Sequence, residues 1–185
     1  MKLKANRMEA LADGIFAIVM TIMVVSLSEV LNFSNPLKNI DFYKLFITLG
    51  DDFLVYAVSF LILGILWFEH HWQFHFIKYI DPVLVFINIV FLMLLCLVPF
   101  STMLLGNHLN FFAPLLFFEI NILILFSILH LHWLYVVRKD HLTDAVLGKN
   151  VLSRQRSICL FSIIITLLAI VLTFLINNMG GMKIV

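Results

Sequence analysis

The sequence predicts an all-α integral membrane protein, a small bundle of five transmembrane helices forming a single domain over residues 1–185. Three observations carry that prediction. The chain is 63% hydrophobic and 12% charged, where soluble domains run at about 45–50% apolar and about 25% charged. Its mean hydropathy is +1.08, more apolar surface than one water-soluble core of this size can hide. Its apolar residues also fall into five runs, each near the roughly 20 residues that a helix needs to cross a hydrocarbon core.

The runs are 8–30, 45–68, 82–105, 111–137 and 157–177. The first is too long for the apolar region of a signal peptide and no small-x-small cleavage site follows it, so it is expected to stay as a span. Turn chemistry separates it from the second, with "SNPLKN" at 34–39. The "DP" at 81–82 opens the third, where Pro82 fits a first helical turn that needs no N–H from it. Pro99 should kink that span near its end. "GNHLN" at 106–110 precedes the fourth, and the charged stretch 138–156 reads as the loop before the fifth.

Charge placement orients the bundle. With a cytoplasmic N-terminus the inside segments hold nine cations, Lys2, Lys4, Arg7, Lys78, Arg138, Lys139, Lys149, Arg154 and Arg156. The outside segments hold three, Lys38, Lys44 and Lys183. The positive-inside rule favours that orientation. The basic run 138–156 suits anionic lipid headgroups in an unspecific way. A net charge of +1 offers no field to attract nucleic acid, which is not expected as a partner.

Polar residues within or beside the spans are the candidate functional groups. Cys96 and Cys159 read as small buried residues, without disulfide or metal spacing. His71 and His75 stand four apart on a helix, yet no carboxylate or cysteine completes a metal set, and no metal or other cofactor is predicted. A histidine here, His70 or His71, would make the protein's behaviour depend on pH. His130 and His132 point to different faces and suggest no site. Glu119 is expected to pair near Asn121 or His130 or to be protonated and inert. Asp51 and Asp52 are expected near the outer start of the second span, as boundary charges or as an acidic vestibule.

The first span is the most informative. At about 100° per residue, Ile18, Ile22 and Val25 share one narrow stripe, with Arg7 on nearly the same meridian three turns below. The stripe alone suits lipid or a neighbouring helix equally. Asp13 points well away from it, and an ionisable group within a span normally faces protein or water. Arg7 of the same or an adjacent subunit is one candidate partner. Thr21 lies about 60° from the stripe, where its hydroxyl either reaches that face or bonds back to its own helix.

"RMEALADGIFAIVMT", residues 7–21, resembles the signature of the transmembrane-protein-175 family of potassium channels, R-x-x-x-F-S-D followed by a small residue, an apolar run and a threonine. Arg7, Asp13, Gly14, Ala17, Ile18 and Thr21 match, while Leu11 and Ala12 replace Phe and Ser. "SFLILGILWFEHH", residues 59–71, is similar to the family's S-F-x-x-x-G-x-x-W-x-x-H-H, with Ser59, Phe60, Gly64, Trp67, His70 and His71 in register. Asn88 and "PFST" at 99–102 are the third match. The likeness covers residues 7 to 105.

The resemblance implies six spans where the sequence shows five. It implies a homotetramer in the cell membrane, with the first helix of each subunit lining a central pore and potassium as the permeant ion. Ile18, Ile22 and Val25 would form the constriction, which gates by dewetting and makes a passing ion shed water. Potassium sheds water more readily than sodium, and no T-V-G-Y-G loop offers a carbonyl-lined filter. Thr21 would adjoin the pore. Arg7, Asp13, Trp67, His70 and Asn88 would be a structural network tying the cytoplasmic ends of the first three helices. No nucleophile–base pair or complete metal set points to an enzyme. The competing expectation is a secondary transporter or proton-coupled carrier using Glu119 and Asp13, against which stand the lack of an internal repeat and of broken helices.

Overall fold

The structure, a computed structural model, describes residues 3–28, 42–139, 142–143 and 148–180. In chain order these form strand β1 (Leu3–Lys4), helices α1 (Asn6–Ser28) and α2 (Phe42–Phe74), strand β2 (Tyr79–Ile80), and helices α3 (Pro82–Leu95), α4 (Val98–Asn107), α5 (Phe112–Val137) and α6 (Lys149–Asn178). Among the described residues five segments are long and apolar enough to span a membrane, with α3 and α4 together making the third. The sixth span that the resemblance implies is not among them. The end of the first predicted run, the turn at 34–39 and Lys183 lie outside the described residues.

Helix boundaries depart from hydropathy where polar residues find partners inside the bundle. Hydropathy ends the second span at 68, yet α2 continues to Phe74 because Glu69, His70 and Gln73 turn inward and are buried. Helix α2 begins before its membrane-spanning segment, and Asp52 stands at the start of that segment, as the sequence reading expects, beside Gly106 of α4. A β-carbon at Gly106 would come within 3.2 Å of the Asp52 carboxylate, so the glycine lets α2 and α4 approach. The side chain of Asp51 lies outside the described residues.

Helix α3 begins on the expected signal. The Leu84 N–H donates to Asp81 Oδ1 at 2.8 Å, and Pro82 occupies the first turn. The third span breaks at Cys96–Leu97, just before Pro99. Proline has no N–H to offer the Leu95 carbonyl, so α3 stops there and α4 restarts at Val98. The kink expected at Pro99 is a full break, so the lack of broken helices no longer stands against a carrier. Helix α6 starts at Lys149, so Arg154 and Arg156 ride a helix rather than a loop. Of the two cysteines, Cys159 is buried as expected and Cys96 is exposed at the break.

Helix α5 is the hub. It packs on α2, α3, α4 and α6, whereas α1 packs on α2, α3 and α4. The main core joins Ala12, Phe16, Val19 and Met23 of α1 to Leu63 and Leu66 of α2, Phe91 and Leu95 of α3 and Leu125 and Leu129 of α5. A second cluster caps the end that carries the N-terminus, from Ala5 and Met8 through Phe74 and Ile80 to Val136 and Leu142. There β1 pairs antiparallel with β2, Leu3 opposite Ile80. The Ala5 N–H donates to the Lys78 carbonyl at 3.1 Å and the Lys78 N–H to the Leu142 carbonyl at 2.9 Å. The start of α1 is therefore fixed to both connections at this end.

Candidate functional site

Helix α1 has two apolar faces with different fates. Met8, Ala12, Phe16, Val19 and Met23 recur at helical spacing and are buried in the core. About a third of a turn away, Ile18, Ile22 and Val25 are 59%, 49% and 51% exposed. Small residues flank that stripe, Gly14 and Ala17 being exposed beside it, and no heavy atom lies within 4 Å of where a Gly14 β-carbon would sit. Such a surface lets another helix approach closely. Thr21 is exposed there too, and its hydroxyl donates back to the Ala17 carbonyl.

The opposite side of α1 is tied to the far end of α2. Trp67 Nε1 donates to Asp13 Oδ1 at 2.9 Å. The His71 ring stacks on Trp67 with centroids 5.4 Å apart, and its Nδ1 lies 3.3 Å from Glu9 Oε1. The two helices run antiparallel, so Glu9 meets His71 and Asp13 meets Trp67 in register. Arg7 stands apart from this arrangement. Its side chain is exposed, and no ion pair joins it to the described residues. Six positions place Arg7 and Asp13 about 120° apart around the helix and about 9 Å apart along it, and Asp13 is met by Trp67 instead.

His70 and Asn88 come together in a separate, buried chain of hydrogen bonds. His70 Nε2 donates to Asn88 Oδ1 at 2.9 Å, and Asn88 Nδ2 donates to His132 Nε2 at 3.0 Å. His132 Nδ1 then donates to Gln73 Oε1 at 2.6 Å, and Gln73 Nε2 donates to the Leu129 carbonyl at 3.1 Å. With Nε2 accepting, His132 is a neutral ring protonated at Nδ1. The chain links α2, α3 and α5, and His70 is further clamped between Phe74 and Phe91 by stacking at 4.6 and 5.3 Å. His132 and Gln73 were missed by sequence reasoning. Their signal was a polar residue on an otherwise apolar face, and only the fold shows that the two faces meet. His70, considered as a pH sensor, is 1% exposed and enclosed by its stacking partners.

Two carboxyls sit deeper between α2, α5 and α6. Ser162 Oγ donates to Glu69 Oε1 at 2.9 Å, and Thr173 Oγ1 donates to Glu119 Oε1 at 2.9 Å. The partner of Glu119 is thus a hydroxyl of α6, not Asn121 or His130. Asn121 instead reaches Ser101. Glu119 Oε2 is buried with no hydrogen-bond partner among the described residues. Both glutamates line a crevice of about 570 Å³ whose walls are otherwise mostly apolar, including Val58, Ile62, Phe118 and Ile165.

These features define a multi-pass helical membrane protein whose first helix is anchored on one side and left open, apolar and lined with small residues on the other. Residues 7–99 match the family described as endosomal/lysosomal potassium channel TMEM175, and the chain belongs to that family. It is similar to a potassium channel of Streptomyces collinus, 33% identical over 110 residues, which are 58% of this chain and 50% of that one. A potassium channel of Chamaesiphon minutus is 28% identical over 106 residues, 57% of this chain and 51% of that one. The chain spans about half the length of the curated relatives it matches. The crystal structure of a lysosomal potassium-selective channel TMEM175 homolog from Chamaesiphon minutus superposes with a TM-score of 0.74 at 22% identity, covering 92% of this chain and 87% of that one. The two share a fold.

Proposed function

We propose that the protein is a potassium-preferring cation channel, a homotetramer in the cell membrane with its N-terminus cytoplasmic and one α1 from each subunit around a central pore. The observation that carries this reading is the open face of α1. Ile18, Ile22 and Val25 are exposed on a helix whose other side is held by the core and by the Asp13–Trp67 hydrogen bond. Membership of a family of potassium channels supports it, as do the curated relatives. Four Ile18 side chains on the axis form an apolar ring that a hydrated ion passes only by shedding water, which is harder for sodium than for potassium. Ile22 and Val25 continue the ring outward.

Thr21 adjoins the constriction. Because its proton is given to the Ala17 carbonyl, its oxygen lone pairs remain to face a passing cation. Asp13, Trp67, His70 and Asn88 act as positioning residues that set the angle of α1. Arg7, exposed on the meridian of the stripe, is assigned to contacts between subunits or at the pore mouth. The placement of Lys and Arg supports the orientation.

The test is ion flux in liposomes holding the purified protein, under a potassium gradient and then a matched sodium gradient. Potassium flux is expected to exceed sodium flux, and Ile18→Asn to abolish the preference. The competing reading is a carrier working through Glu119 and Asp13, favoured by the unpartnered Glu119 oxygen. In a channel, single-channel steps survive Glu119→Gln; a carrier loses its saturable flux in that variant.

A further inference from the structure

At the end of the bundle that carries the N-terminus, α5 and α6 border a groove of about 390 Å³. It is lined by Trp133, Leu134 and Val137 of α5 and by Leu152, Ser153 and Arg156 of α6. On both helices the lining positions recur at i, i+1 and i+4, so the groove runs between two helix faces rather than beneath a loop. It lies within the last turn or two of α5 and the first turns of α6, at the ends of two apolar spans. We propose that this groove seats one anionic glycerophospholipid, with an acyl chain along Leu134, Val137 and Leu152 and the phosphate on Arg156.

Charge and chemistry select that occupant. Arg156 is exposed, and no ion pair engages it among the described residues. A guanidinium beside an apolar wall suits a phosphodiester, whose oxygens take two parallel N–H bonds. Ser153 stands one turn before Arg156 on the same face and supplies a hydroxyl to the same headgroup. Arg138 and Lys139, both exposed at the end of α5, add attraction for an anionic over a zwitterionic lipid. The volume falls within the roughly 300–1,000 Å³ of ordinary ligand sites. Arg154 is an internal control, since two residues turn it about 200° away from Arg156.

The experiment reconstitutes the full chain in bilayers of equal phosphatidylglycerol and phosphatidylcholine, extracts it in mild detergent, and counts retained phospholipid by native mass spectrometry. Wild type is expected to retain phosphatidylglycerol in preference to phosphatidylcholine. Arg156→Gln should lower that retention about tenfold, and Arg154→Gln should leave it within twofold. Leu152→Trp fills the groove without changing charge and should lower retention of the lipid by a similar factor. Equal losses in the two arginine variants, or full retention in Leu152→Trp, overturn the site and leave only diffuse surface charge. The thermal midpoint of each variant distinguishes lost lipid from lost fold.

Discussion

Helices α1 and α6 are both apolar spans that turn much of their surface outward, and their construction is opposite. The inner face of α1 carries large apolar side chains, Phe16, Val19 and Met23 in the main core and Met8 in the cluster at its start. The inner face of α6 is small and polar, with Gln155, Cys159, Thr166 and Thr173 buried and Ser162 beside them. The outer faces are reversed. On α6 Phe161, Ile164, Leu168, Val171 and Leu172 are bulky and exposed, as a lipid-facing surface should be. On α1 the exposed surface sets Leu11, Ile18, Ile22, Val24 and Val25 beside the small residues Gly14, Ala17 and Thr21. Fractional exposure does not separate the two, since Ile18 is 59% and Leu168 63% exposed. The small residues interspersed on α1 do, since they leave room for close approach of another helix.

The strongest test applies one exchange to both faces. Ile18→Asn is expected to erase the preference for potassium over sodium in liposome flux. Leu168→Asn, equally exposed and equally polar, should leave that preference unchanged and reduce only the yield of inserted protein. Equal effects on selectivity from both variants break the comparison and return α1 to an ordinary lipid-facing helix.

The next largest effect concerns what holds α1's neighbours in place. Asn88→Leu strands the His70 Nε2–H and the His132 Nε2 inside the bundle. A stranded buried polar group costs about 1–3 kcal/mol in water-soluble proteins, while hydrogen bonds between membrane helices average about 0.6 kcal/mol. A loss of about 2 kcal/mol between those limits is expected, read by unfolding in a denaturing-detergent titration. The ion preference of the protein that remains folded should not change. A stable variant with altered selectivity would place Asn88 at the pore instead.

On α6 the carboxyl anchors should matter less. Thr173→Ala and Ser162→Ala each remove one hydrogen bond to a glutamate, and each is expected to cost about 1 kcal/mol in the same titration. Thr173→Ala should cost more, because Glu119 then has neither oxygen partnered, whereas Glu69 Oε2 still faces Cys159 at 3.8 Å. The reverse order would mean that Glu119 is satisfied by a group other than the described residues.

Much of this was legible before any coordinates, and the misses share a cause. The five spans follow from hydropathy because lipid forces every backbone group into a helix. The two sides of α1 follow from periodicity and from the R-x-x-x-x-x-D spacing. Hydropathy failed wherever a polar residue satisfied itself across helices. Glu69, His70 and Gln73 looked like a span end and are interior, and His132 looked isolated and is the centre of a hydrogen-bonded chain. Arg7 and Asp13 looked like a pair because they share a motif, yet helical geometry sends them to different faces. Partners more than forty residues apart in sequence, such as Glu119 and Thr173, leave no local signal to read.

The smallest expected effect is the sharpest use of the comparison. Thr21 on α1 and Thr166 on α6 make the same local hydrogen bond, each hydroxyl donating to the carbonyl four residues back. They differ only in where the oxygen faces, Thr21 being exposed beside the stripe and Thr166 buried at 8%. Exchange of Thr for Val keeps the shape and removes that oxygen, and losing a back-bond of this kind changes helix stability little. Thr21→Val should therefore lower the potassium preference partially, less than Ile18→Asn does, with the unfolding midpoint nearly unchanged. Thr166→Val should alter neither. If Thr21→Val leaves the ratio of potassium to sodium flux at its wild-type value, the hydroxyl serves its own helix alone, and selectivity rests on the apolar ring.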